Sequence, residues 1–244
     1  MKIYAIVPVM WIDAEHLANF YRSKLGVLTA RTVSTALELI WPSTRDEVVV
    51  GYGYTLPYLG LFEGDSERVL ALMPAPQGAL AWPRDKSNRV ALIDEHLFPL
   101  PDRSVDKLLV IHALEYADHS SAILQECWRV LVEGGELLVV TPNRRGAWAQ
   151  ITTTPLGYGT PYTGHQLYEV LQKAGFVPQK PHYCLYTPPS KKCFALKFAS
   201  TFEKYGNFFS KKFGGVLLMP AKKQVYAVRP QKVASFAPRT AAPV

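Results

Sequence analysis

With 244 residues, 48% of them hydrophobic, the chain is long enough to bury the core of one large α/β domain, expected over residues 1–228. Cys127, Cys184 and Cys193 are odd in number and lack paired C-x-x-C spacing, which argues against a disulfide framework and a cysteine zinc site. No apolar run reaches about eighteen residues, and the apolar start Met1 to Met10 is short, has Lys2 as its single basic residue and lacks a small-residue cleavage site. A soluble, cytoplasmic protein without a membrane span is the expectation.

The net charge of +7 is unevenly spread. Residues 180–244 hold twelve Lys or Arg against the single acid Glu203, a balance of +11, which leaves the first 179 residues at −4. A basic C-terminal third on an acidic body points to an anionic partner or substrate, or to solvated lysines.

In chain order, Asp13 is a candidate N-cap for a helix to about Lys24, with Leu17, Phe20, Tyr21 and Leu25 as its apolar stripe and Gly26 as its end. A second helix, about Leu28 to Ile40, stops before Trp41-Pro42. Val48 to Val50 is a short β-branched run suited to a buried parallel strand, and Gly51 and Gly53 form a turn where backbone can approach a ligand. Pro57 then opens a short helix carrying Tyr58, Leu59, Leu61 and Phe62. Arg68 to Met73 is a second strand, followed by a turn through Gly78 and a short helix. Arg89 to Ile93 and Lys107 to Ile111 are further strands, the latter ending at His112.

Ser120 to Leu131 reads as a helix terminated by Gly134-Gly135, and Glu136 to Thr141 as the fifth strand. This rhythm gives a parallel sheet with ligands outside the carboxyl ends of its strands, where Gly51, Met73, Asp94 and His112 form one row. The long Gly-, Pro- and Arg-containing stretch 142–162 is a candidate substrate lid. A helix over His165 to Ala174 and a strand within 176–187 follow, and an aromatic-striped helix over 193–213. Gly215 to Met219 and Lys223 to Val228 read as an edge hairpin or one bulged strand, and 229–244 as a disordered tail.

Two segments carry a more specific pattern. One is Asp94-Glu95-His96-Leu97-Phe98-Pro99-Leu100-Pro101-Asp102-Arg103-Ser104-Val105-Asp106; the other is Glu126-Cys127-Trp128-Arg129-Val130-Leu131 with Gly134-Gly135-Glu136-Leu137. With Gly51-Tyr52-Gly53 in the same order, residues 45–143 resemble the class I S-adenosylmethionine-dependent methyltransferases of the small-molecule type. The resemblance implies a Rossmann-like, seven-stranded, mostly parallel sheet with helices on both faces, an antiparallel edge strand and N-terminal helices. It divides the domain into N-terminal helices (1–42), a cofactor core (45–143) and a substrate half (144–228).

The same resemblance implies S-adenosylmethionine as cofactor, held by Gly51, Tyr52, Gly53, Tyr54, the position of Met73, Asp94, Glu95 and His112. An acceptor pocket is expected from Tyr21, Tyr58, Asn143, Arg144 and Arg145. His112 is the candidate base, with Glu115 placed to orient it. One departure stands out: the family ends its second strand in an acid that accepts from both ribose hydroxyls, and this chain has Met73 there, with Gln77 a possible substitute.

A nicotinamide turn is disfavoured, since Leu56 occupies the third position of Gly-x-Gly-x-x-Gly. No metal is expected, because His112, Glu115, Asp118 and His119 do not form a paired-histidine helix motif. Thr141-Pro142-Asn143 is not the Asn-Pro-Pro-aromatic motif of amino-directed nucleic-acid or protein enzymes. The expected activity is methyl transfer to a small or medium-sized acceptor. Two alternatives remain: an RNA methyltransferase using residues 180–232, and a non-catalytic scaffold with a degenerate ribose site.

Overall fold

The computed structural model describes residues 11–189 and 213–224. Helix α1 (Ala14–Arg22) starts at Asp13, whose carboxylate accepts from the Glu15 amide at 2.7 Å, and buries Ala14, Leu17, Ala18 and Tyr21 along one face. Ser23 is extended and caps the next helix, α2 (Lys24–Ile40), through the Gly26 amide. Gly26 therefore does not end a helix; it lies in the first turn of α2, where a Cβ would sit 2.0 Å from the Phe20 carbonyl oxygen. The close approach of the two helices, rather than a stop signal, explains that glycine.

The remaining elements are β1 (Val48–Gly53), α3 (Leu56–Leu59), β2 (Arg68–Pro74), β3 (Val90–Ile93), β4 (Val105–Ile111), α4 (Ser120–Val130) and β5 (Leu131–Pro142). After them come two 3₁₀ turns (Ala147–Gln150 and Pro155–Gly157), α5 (Gly164–Lys173), β6 (Phe176–Pro178), β7 (His182–Cys184) and β8 (Val216–Lys223). Strand order is β3-β2-β1-β4-β5-β8-β6, with β7 also paired to β8. Strands β1 to β5 are mutually parallel, and β8 runs antiparallel to β5, β6 and β7. Tyr21, Leu37, Met73 and Leu109 belong to the core on the face covered by α1 and α2; Ile123, Leu124, Leu167 and Leu171, from α4 and α5, belong to the core on the opposite face.

Several expectations are corrected by this architecture. The antiparallel strand is not at an edge: β8 is one strand, buried for nearly its whole length and paired on both sides, so its apolar run Val216 to Met219 is core. The glycines of the first strand are part of β1 itself. No helix follows the Gly78 turn before β3. Gly134-Gly135 lies within β5, in the irregularity between the Val105–Leu131 and Lys107–Glu136 pairs, and α4 ends earlier because Leu131 is extended. The strand within 176–187 is two short strands. The helix over 193–213 and the tail from 229 lie outside the described residues.

The Glu126-x-x-Arg129 pair is structural. Arg129 binds the carbonyls of Phe98 and Leu100 at 2.9 Å each and the carboxylates of Asp102 and Glu126, while Glu126 accepts from the Phe98 amide. It fastens the loop after β3 to α4. The Arg129 guanidinium and the Phe98 amide hold the Glu126 carboxyl below the ordinary carboxylate range. A depressed folded-state pKa contributes stability above the unfolded value and loses it as pH falls through the lower folded value. In Glu126→Gln, the loss of urea stability between about pH 6 and about pH 3.5 is expected to be smaller than in the wild type. An equal loss in both proteins would show that this carboxylate carries none of the acid sensitivity.

Candidate functional site

The carboxyl ends of β1 to β4 lie side by side, since all their pairings are parallel. At the end of β1, Gly53 has φ +83°, and a Cβ there would stand 2.3 Å from the Ile111 carbonyl oxygen. The neighbouring Tyr54 amide donates to that same carbonyl at 2.9 Å. Only glycine fits so close a backbone crossing in the left-handed region. The space beside Gly51 is filled by the chain itself, with the Thr55 hydroxyl 2.2 Å from a Cβ position. Tyr52 goes to the opposite face, stacks on Phe98 and donates its hydroxyl to the Glu95 carbonyl at 3.0 Å.

At the end of β2, Met73 is fully buried among apolar side chains. The following turn, closed by Gln77 amide to Pro74 carbonyl at 2.9 Å, carries Gln77 back over the strand ends. The Gln77 Nε2 donates to the His112 carbonyl at 2.9 Å, while its Oε1 is buried with no donor. Beyond β3, Asp94 is exposed and accepts from the His96 amide. Glu95 is half-buried, and its Oε1 has no hydrogen-bond partner but lies 4.0 Å from His96 Nε2. Burial raises its carboxyl pKa, opposed by the charge of His96 and a hydrogen bond with the Trp11 side chain.

At the end of β4, His112 is itself left-handed, φ +52°, and buried. Its Nε2 is 2.8 Å from the Tyr21 hydroxyl, which accepts from the Tyr58 hydroxyl at 3.0 Å, and its Nδ1 faces a Glu115 carboxylate oxygen at 3.4 Å. Because Tyr21 accepts from Tyr58, its own proton is free for Nε2, which places the proton of a neutral ring on Nδ1, toward Glu115. Burial raises the phenols of Tyr21 and Tyr58 and pushes that of Tyr54 up to about 12, so all three are neutral donors near pH 7. Tyr54 stacks on Tyr21. A cavity of about 10 Å³, lined by Tyr21, Tyr58, His112, Glu115 and Leu156, adjoins this chain of hydroxyls.

The expected acceptor residues separate. Tyr21 and Tyr58 reach His112, but Asn143 is buried, donates to the Gly214 carbonyl at 2.7 Å and anchors the end of β5. Arg144 and Arg145 are exposed, and Arg144 lines a different cleft, about 220 Å³, with Tyr162, Gln166 and Lys173. The 142–162 loop packs onto the site through Thr160 amide to Glu115 carbonyl (2.7 Å) and Tyr116 hydroxyl to Pro155 carbonyl (2.8 Å). Trp11, whose ring lies 6.0 Å from that of Tyr116, was not anticipated; it precedes the first helix and belongs to no periodic pattern. Of the basic C-terminal third, Lys222 pairs with Glu136 and Lys223 is buried against the Trp128 and Leu131 carbonyls. Among the described residues no group of three or more metal-ligating side chains is assembled, and no helix is long and apolar enough to cross a membrane.

A mostly parallel sheet with a glycine crossing at the end of its first strand is a Rossmann-like fold. Residues 47–139 match the family model of a methyltransferase domain. The chain is 38% identical over 86 residues to a probable S-adenosylmethionine-dependent methyltransferase of Mycolicibacterium smegmatis, a match that covers 32% of this chain and 31% of that protein. The chain matches about a third of the length of its curated relatives. In fold it resembles a methyltransferase from Thermotoga maritima (TM-score 0.62, 17% identity, 88% of this chain and 100% of that one). It also resembles the [4+2]-cyclase SpnF (TM-score 0.57, 18% identity, 81% of each chain).

S-adenosylmethionine presents an exocyclic amine and two ribose hydroxyls, all donors. The unpaired oxygens of Gln77 and Glu95 and the carboxylate of Asp94 are acceptors at the corresponding strand ends, so the residues present fit the group.

Proposed function

We propose that this protein transfers a methyl group from S-adenosylmethionine to a small or medium-sized acceptor at the carboxyl ends of β1 and β4. The observation that carries the reading is the buried chain of hydrogen bonds His112–Tyr21–Tyr58, which joins the end of β4 to α1 and α3 beside the glycine crossing, with a Glu115 oxygen 3.4 Å from His112 Nδ1 but not hydrogen-bonded to it. When bound, the cofactor supplies an electrophilic methyl on a sulfonium, and in-line transfer depends mainly on positioning. Asp94 and Glu95 would hold the amine, and the backbone at Gly53 and Tyr54 would hold the methionine part. His112 Nε2 receives the proton lost by the acceptor, relayed by the Tyr21 hydroxyl that already occupies it, and Glu115 stabilises the imidazolium through Nδ1.

The loop over Glu115 is the lid of the acceptor site in this reading: it is tied down by the Thr160 amide on the Glu115 carbonyl, its Leu156 lines the cavity beside His112, and that cavity has room for about one water molecule, so an acceptor needs the loop to move. The small acceptor is preferred to RNA on the family match, and among the described residues of the basic segment Lys222 and Lys223 are engaged within the fold.

Thermal unfolding with S-adenosylmethionine and with S-adenosylhomocysteine tests the reading. At about 100 times the dissociation constant each ligand stabilises by about 2.7 kcal/mol, which raises the midpoint by roughly 5–10 °C. No shift with either ligand at about 1 mM would refute it and favour the scaffold alternative, in which buried Met73 marks a lost ribose site.

A further inference from the structure

We propose that Gln77 is the ribose-hydroxyl acceptor of this site, in place of the carboxylate that the resemblance places where this chain has Met73; this rests on the methyltransferase reading above. Met73 is fully buried in an apolar cluster and has no acceptor to offer. Gln77 is fully buried as well, four residues on, and the turn after β2 places its amide across the sheet from its own strand. Its Nε2 reaches the His112 carbonyl at the end of β4, and β1 lies between β2 and β4. The amide therefore spans the end of β1, above the glycine crossing.

That hydrogen bond also settles which atom is which. An oxygen turned toward the His112 carbonyl would repel it, so the nitrogen faces β4 and Oε1 is turned away by the trigonal geometry of the amide. Oε1 is left as a buried acceptor without a donor. Native proteins rarely leave such an atom unpaired, because the lost hydration is not recovered. A ribose supplies what is missing, a hydroxyl donor at the end of β2. The second bond of Gln77 is what makes a neutral amide suitable: a carboxylate at that position would face the His112 carbonyl with no proton to give. The backbone tie from the Ala14 amide to the Gln77 carbonyl, 2.8 Å, fixes the residue from the α1 side and does not depend on its side chain.

Calorimetric titration of the wild type and Gln77→Leu with S-adenosylhomocysteine and with its 2′-deoxy and 3′-deoxy analogues tests the assignment. The wild type is expected to bind at least one deoxy analogue about tenfold more weakly than the parent ligand. Gln77→Leu is expected to lose about tenfold on the parent ligand and little on that same analogue, a coupling that a purely structural glutamine would not produce. Equal losses on all ligands, or no loss on the parent, would overturn the assignment. Should the variant fail to fold, the wild type alone decides: no discrimination between parent and deoxy ligands would overturn it, and tenfold discrimination would uphold an acceptor at a site where Met73 has none. Failure of the wild type to bind any of the three ligands would refute the methyltransferase reading itself, a result separable from binding without coupling.

Discussion

His112→Asn is expected to lower the rate of S-adenosylhomocysteine release, measured across a panel of amine, phenol and carboxylate acceptors, by about 10²- to 10⁴-fold. Its dissociation constant for S-adenosylhomocysteine is expected to stay within about threefold of the wild type. Asparagine suits the test because His112 has φ +52°, a left-handed conformation that asparagine accepts more readily than most side chains. The backbone carbonyl that receives Gln77 is preserved, so the cofactor side of the site is left in place. What is lost is the imidazole between Tyr21 and Glu115, and with it the candidate proton acceptor of the site. Tyr21→Phe separates relay from base: it removes the hydroxyl at 2.8 Å from Nε2 but leaves the imidazole and its carboxylate. A rate in His112→Asn equal to that of the wild type on its best acceptor would rule out a base at this position.

The second large effect falls on stability. Gly53→Ala is expected to cost about 3 kcal/mol or more and to lower the unfolding midpoint by roughly 6–12 °C. Two terms add. A left-handed backbone at φ +83° strains any residue with a Cβ, and here the Cβ would meet the Ile111 carbonyl oxygen at 2.3 Å. That oxygen belongs to a central strand and already receives the Tyr54 amide, so relief requires β1 and β4 to separate at the point where the site is built. Gly60→Ala is the matched control: φ there is −60°, nothing lies within 4 Å, and alanine stabilises by a few tenths of a kcal/mol by restricting the unfolded chain. Equal midpoints for the two variants would mean that the crossing at Gly53 is not tight.

Much of this site was legible in the chain. A β-branched run followed by two glycines specifies a buried strand with a close crossing, and the motif segments locate the third and fourth strand ends through local pattern. The Glu126-x-x-Arg129 signature was legible as family likeness, yet what it does here, tying the Phe98–Asp102 loop to α4, emerges only from its hydrogen bonds. Asn143 illustrates the opposite error: a polar residue just past a strand end looks like pocket lining, but it holds the 214–215 backbone against the end of β5.

By itself the sequence determined the strands β1 to β5 in their order, the glycine crossing and the histidine at the end of β4, since periodicity, backbone restriction and residue chemistry act over a few neighbours; the missing acid at Met73 was legible only through the family resemblance. Tertiary structure alone decided that β8 lies inside the sheet, that Tyr21 meets a histidine 91 residues away, and that Gln77 reaches the His112 carbonyl and leaves its own oxygen buried and unpaired. Those outcomes depend on which distant surfaces exclude water together, and burial against a partner far along the chain leaves no local pattern to read.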